Sequence, residues 1–176
     1  TFTPVLATFL YGAAVGWPMD VATGIAALLG ALALQIAVNL LNDVEDHRRL
    51  IDLPGTLGGA GVIQRGVLSA ASVRRVAVVA AAVGLALGLP ALIREPAAFA
   101  AIGGLAVLGG LGYSSGPGLK YHALGDLAVI ALCGPVLTAG ASLAAFGRID
   151  PFILTMGAAL GFAAVGLLHV NNFQDA

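Results

Sequence analysis

A chain of 176 residues with 59% hydrophobic and 10% charged side chains, and a mean hydropathy of +0.99, lacks the balance of a water-soluble domain. Its formal net charge of −1 excludes a broad basic surface for nucleic acid, so charge recognition must come from a few placed residues. The single cysteine, Cys133, cannot form an internal disulfide and reads as a small core residue.

The chain opens inside an apolar run, "TFTPVLATFLYGAAV". No basic region or small-residue cleavage site precedes it, so the expectation is a fragment or a trimmed N-terminus rather than a signal peptide. Six apolar runs follow one another, near Phe2 to Val15, Val21 to Leu41, Val73 to Leu92, Ala97 to Leu111, Leu124 to Phe146 and Pro151 to Val170. Their lengths suit helices crossing a hydrocarbon layer of about 30 Å at about 1.5 Å per residue, although the first and fourth are short. Strand-like alternation is absent, and Ala, Leu and Gly dominate. The predicted fold is therefore all-α, a polytopic transmembrane helix bundle forming one membrane-embedded domain over residues 1–176. The glycine-rich stretches "GALALQ", "GGLAVLGGLG" and "GAALGFAAVG" predict close helix packing. Pro90 and Pro135 predict kinks or ends in the third and fifth segments.

The loop after the second segment carries Arg48, Arg49, Arg65, Arg74 and Arg75, and the loop after the fourth carries Lys120; the opposite side has only Arg94 and Arg148. Six against two places the first side in the cytoplasm. The same alternation brings the end of the sixth segment, "HVNNFQD", to that side.

Two polar clusters on that side can carry chemistry. In "NLLNDVEDHRRLID", Asn39, Asn42, Asp43 and Asp46 follow i, i+3, i+4, i+7 and so stack along one helix face, with Gln35 a turn deeper and Asp52 in the loop beyond. An acid near mid-bilayer costs roughly 2.5 to 3.5 kcal/mol. Either these acids mark the water interface, paired with Arg48 and Arg49, or they hold a cation. Hard oxygen donors without a Cys or His cage suit Mg²⁺. The second cluster, Asn171, Asn172 and Asp175 after His169, repeats the spacing of Asn four residues before Asp, and the two read as halves of a metal–diphosphate site. Arg65 and Lys120, with Arg49 a weaker candidate, either supply cations for the diphosphate, the favoured reading, or are topogenic charges meeting lipid headgroups. Arg74 and Arg75 read as topogenic charges at lipid headgroups. His169 is a base, a hydrogen-bonded helix-end residue or neither, with the catalytic role the minority reading. The stretch "LPGTLGGAGVIQRG" is too glycine-rich for a helix and can fold over the site. "GGLGYSSGPG" breaks the fourth helix and delivers Tyr113, Lys120 and Tyr121, whose rings face either a cation or the interfacial belt.

These residues resemble the UbiA superfamily of intramembrane prenyltransferases. Its first signature, N-D-x-x-D with a further acid beyond, is matched by Asn42, Asp43, Asp46 and Asp52. The 1,4-dihydroxy-2-naphthoate branch of menaquinone synthesis is the most similar, through Asn39, "QRGVLS", "YSSG", "YHALGD" and the N-N-x-x-D of "NNFQD". The resemblance implies nine transmembrane helices, of which six are here, and a second motif that continues to a further acid past the last residue. The chain is thus expected to be incomplete at both ends. The implied activity is Mg²⁺-dependent transfer from a prenyl diphosphate to an aromatic acceptor at the cytoplasmic side of the membrane. Asn39, Asp43, Asp46 and Asp175 form the implied catalytic set, with Asp43, Asp46, Asp52 and Asp175 as metal ligands. Asn42, Arg65, Tyr113, Lys120, Tyr121, Asn171 and Asn172 bind substrate. The competing readings are the same chemistry on another acceptor, or a cation-binding transporter or channel.

Overall fold

The computed structural model describes residues 1–51, 61–114, 118–122 and 124–174, with the backbone alone at residue 114 and at residues 171–174. Seven α-helices follow in order: α1 (Phe2–Ala14), α2 (Val21–Arg48), α3 (Ala70–Arg94), α4 (Pro96–Ser114), α5 (Gly125–Ala131), α6 (Leu137–Phe146) and α7 (Pro151–Gln174). A 3₁₀ turn at Leu119–Tyr121 precedes α5, and a widened π turn at Leu132–Val136 joins α5 to α6. There is no strand among the described residues.

Each apolar run became helical, because in lipid a backbone satisfies its own hydrogen bonds most cheaply as a helix. Among the described residues, five spans are long and apolar enough to cross a membrane: α2, α3, α4, α5 with α6, and α7. The fourth run, short by its apolar residues, gains one residue at its start and three at its end and reaches 19 residues. The 13 residues of α1 extend only about 20 Å, less than the hydrocarbon thickness.

α2 begins where Asp20 caps it, accepting from the Thr23 amide at 3.0 Å and the Thr23 hydroxyl at 2.8 Å. Its 28 residues make a rod of about 42 Å, longer than a hydrocarbon layer of about 30 Å is thick. Asp43, Glu45 and Asp46 all fall in its last two turns, at the end away from Asp20. Close approach of α2 and α3 depends on facing glycines: a Cβ on Gly84 would come within 2.9 Å of the Gly30 carbonyl and 2.7 Å of Leu34.

Pro135 acts as expected and Pro90 does not end its helix. α3 runs four residues past Pro90 to Arg94. At Pro135 the chain widens, with Gly134 at φ −110° and ψ −110°. The buried Thr138 hydroxyl shares its proton among the carbonyls of Ile153 at 3.1 Å, Gly134 at 3.2 Å and Pro135 at 3.3 Å, which ties the kink to the first turn of α7. α7 packs directly on this kink through Gly157 and Gly161.

Helix direction sorts the two ends of the bundle. At one end an aromatic group gathers, with Tyr11 stacked on Phe152 at 4.6 Å and the Arg148 guanidinium 4.5 Å from the Trp17 ring. There Arg94 also reaches Asp20 at 2.5 Å. The other end collects the C-termini of α2, α4 and α7 and the N-termini of α3 and α5. All six cations counted for that side lie there.

Candidate functional site

The site is built where α2 ends. The stripe of Asn39, Asn42, Asp43 and Asp46 is helical throughout, since α2 runs seven residues past Leu41 to Arg48. Termination one turn after Asp46 follows a Schellman pattern: the Ile51 amide donates to the Asp46 carbonyl at 3.0 Å and the Leu50 amide to the His47 carbonyl at 3.2 Å. The reversal puts Leu50 at φ 57°, a left-handed conformation usually left to glycine. Deeper in the stripe, Thr1 donates to Gln35 at 2.8 Å and the Gln35 amide to the Asn39 oxygen at 3.1 Å, so the Asn39 side chain is oriented from below.

The second wall arrives from a distant part of the chain. After α4, Gly118 turns with φ 59° and ψ 57° and starts the 3₁₀ turn; a Cβ there would stand 2.7 Å from the Tyr121 ring. This turn drives Lys120 and Tyr121 onto α2. The Lys120 ammonium lies 2.6 Å from both oxygens of Asp46 and also donates to the Asn42 side-chain oxygen. The Tyr121 hydroxyl donates to Asp46 at 2.7 Å. Asp46 is only 8% exposed, and the Lys120 side chain 14%. Burial and the bond to the Asp46 carboxylate push the Tyr121 hydroxyl well above its ordinary pKa, so it stays a donor at any physiological pH. Arg49 stacks on the outer face of this ring, its guanidinium carbon 4.4 Å from the centroid.

The two readings of the acids divide between neighbours. Glu45 is the interfacial acid, bound by Arg48 at 2.9 Å and approached by Arg49 at 3.8 Å. Asp46, the next residue, turns to the other side and meets Lys120. Tyr113 sits half-buried in the last turn of α4. Arg65 lies in a compact turn whose Ile63 is buried against Val44 and Val73. The described part of the glycine-rich loop is therefore anchored on α2 and α3; the rest of "LPGTLGGAGVIQRG", residues 53–60, falls outside the described residues, as does Asp52.

α7 comes back to the same end. His169 Nε2 is 3.0 Å from Asp126 Oδ2, which ties the last turns of α7 to the first turn of α5. His169 is thus a hydrogen-bonded helix-end residue. Asn171 and Asn172 continue α7 as backbone, while their side chains and Asp175 lie outside the described residues. Sequence reading missed the Asp126–His169 contact, although "YHALGD" displayed the acid five residues after Tyr121. It also missed that Lys120 and Tyr121 converge on one carboxylate.

Among the described residues, no three His, Cys, Asp or Glu side chains are grouped closely enough to hold a metal ion. The donor chemistry of the α2 stripe, amide and carboxylate oxygens alone, nevertheless fits Mg²⁺. At present the Lys120 ammonium supplies the positive charge at Asp46.

The family model "UbiA prenyltransferase family" matches residues 2–176. The chain belongs to the UbiA prenyltransferase family. It is accordingly an integral membrane protein, in keeping with its apolar spans. Among curated UbiA-type relatives, a 1,4-dihydroxy-2-naphthoate octaprenyltransferase of Escherichia coli (strain K12) is 27% identical over 185 residues, covering 99% of this chain and 60% of the relative. A protein of the same name from Mycobacterium tuberculosis is 29% identical over 164 residues, covering 93% and 54%. The mouse UbiA prenyltransferase domain-containing protein 1 is 36% identical over 87 residues, or 49% of this chain and 25% of the relative. The chain thus spans 54% to 60% of the two bacterial relatives. No solved structure matches it.

Proposed function

We propose that the protein transfers a prenyl group from a prenyl diphosphate to an aromatic acceptor, with 1,4-dihydroxy-2-naphthoate favoured, at the cytoplasmic side of the membrane. The observation that carries this reading is the Asp46–Lys120 pair, a carboxylate and an ammonium held together at the mouth of an apolar bundle in a UbiA family member. Such a pair is preset for a ligand that brings both signs of charge. A cation–diphosphate complex lets Asp46 turn from Lys120 to the cation and lets Lys120 turn to the phosphate oxygens, so neither charge is stranded. Asp43, Asp46 and Asp175 would hold Mg²⁺ there, with Asp52 extending the set and Asn39 lending a polar contact. When bound there, Mg²⁺ would offset the negative charge of the departing diphosphate.

The other residues act on the substrates. Lys120 and Arg65 donate charged hydrogen bonds to the leaving group, Asn42, Asn171 and Asn172 orient it, and Tyr113 and Tyr121 face the allylic cation that the acceptor ring captures. Tyr121, kept protonated, also fixes Asp46. The six cations at this end favour the cytoplasmic orientation.

The test is a transfer assay on the intact protein in detergent, with labelled prenyl diphosphate, Mg²⁺ or EDTA, and dihydroxynaphthoate, hydroxybenzoate and other acceptors. Product is expected with dihydroxynaphthoate, only with Mg²⁺, and not from Asp43→Ala or Asp46→Ala. Near-normal turnover by either variant would sink the metal role, and product from hydroxybenzoate alone would move the protein to another branch.

A further inference from the structure

Behind the α2 stripe, an open groove of about 710 Å³ runs between α2 and the first three turns of α3. Its walls are Val44, Ala70, Ala71, Val78 and Val79, and Arg74 and Arg75 stand at its edge. Val44 lies two residues from both Asn42 and Asp46, about 200° around the helix, so this groove is on the face of α2 turned away from the polar site.

Three features point to one ligand class. Arg74 and Arg75 are exposed and, among the described residues, neither has a carboxylate partner, whereas Arg48, Lys120 and Arg94 each do. They immediately precede Val76–Ile93, a stretch without a charged residue, which sets the pair at headgroup depth. They also lie within two turns of the N-terminus of α3, where Ser69 caps the helix by accepting from the Ser72 amide at 3.1 Å and the helix dipole presents its positive end. Below the cations the groove is purely aliphatic and opens outward. We infer that it is a docking groove for an anionic phospholipid, its phosphate between Arg74 and Arg75 and an acyl chain along Val44, Val78 and Val79. A zwitterionic lipid fits the groove but brings a compensating cation to the arginines. Two basic side chains at a membrane surface account for about a thirtyfold preference for the anionic headgroup.

Native mass spectrometry of the intact protein in detergent tests this, with phosphatidylglycerol or phosphatidylcholine added at equal concentration. Retained phosphatidylglycerol adducts are expected, at least tenfold over phosphatidylcholine. Arg74→Gln with Arg75→Gln should abolish that preference. Val78→Trp, which fills the groove and keeps both charges, should lower retention of either lipid, and it decides the matter should the double variant fail to fold. Equal retention of the two lipids, or unchanged adducts on Val78→Trp, would overturn the proposal. So would displacement of the lipid by millimolar inorganic phosphate, which would make the site a bare anion contact. A dimer that Val78→Trp dissociates, with no lipid adduct on the wild type, would assign the groove to a second copy instead. None of these outcomes depends on prenyl transfer.

Discussion

Replacing Lys120 with Met removes the ammonium that lies 2.6 Å from both oxygens of Asp46. At that separation, and at an effective dielectric of about 20, the gross attraction is about 6 kcal/mol. Desolvation offsets part of it, since the two side chains are only 14% and 11% exposed. Truncating one member of such a pair strands the other, which costs about 3 to 5 kcal/mol in buried sites. The Tyr121 bond to Asp46 survives and the mouth admits water, so the lower end applies: about 3 kcal/mol for Lys120→Met. Asp46→Asn strands only the flexible lysine and should cost about 2 kcal/mol. Once both charges are gone no further ion is stranded, and the double variant should cost about 2 kcal/mol rather than 5. Equilibrium unfolding of the three variants in mixed micelles measures this cycle. Additivity of the two single losses within about 0.5 kcal/mol would refute the ion pair as a preset element of the site.

Three other expectations rest on single contacts. Gly84→Ala puts a Cβ 2.9 Å from the Gly30 carbonyl and 2.7 Å from Leu34, and should lower stability by about 1 to 3 kcal/mol; an unfolding midpoint equal to wild type would mean that α2 and α3 have room to separate. Leu50→Gly relieves the left-handed φ of 57° at a residue that is 72% exposed. It should stabilise by about 1 kcal/mol, and a fall in the midpoint would show that the leucine contributes contacts outweighing its strain. Asp20 has its carboxyl held below the ordinary 3.8 by the Thr23 amide first, then the Thr23 hydroxyl, with Arg94 adding to the effect. A carboxylate with a depressed pKa contributes stability above its unfolded pKa and loses it as pH falls through the folded value. Thermal midpoints should therefore drop below about pH 4, and the drop should shrink in Asp20→Asn; an identical acid profile in that variant would remove Asp20 from the account.

The helices and one half of the site were legible along the chain for local reasons. Apolar runs of transmembrane length leave the backbone no partner but itself, so their helical state needs no tertiary information. The period of 3.6 residues likewise puts Asn39, Asn42, Asp43 and Asp46 on one face wherever α2 goes. Pro135 marked its kink because a ring in place of an N–H disrupts any helix, but Pro90 could be absorbed near a helix end. Apolar counting alone underestimated α2 and α4, because helices continue through polar residues that find partners at their ends.

What the tertiary structure alone decided is which charge meets which. Glu45 and Asp46 are adjacent and alike in type, yet they face different directions on α2, and the cations awaiting them differ: Arg48 one turn along the helix for the first, Lys120 from beyond α4 for the second. The i,i+3 pair follows from helix geometry. The pair 74 residues apart depends on the glycine turn at Gly118 and on how α4 returns to α2, and no local rule encodes that. For the same reason Arg74 and Arg75 read as plain topogenic charges in sequence; the packing of α2 on α3 places them at the edge of an apolar groove.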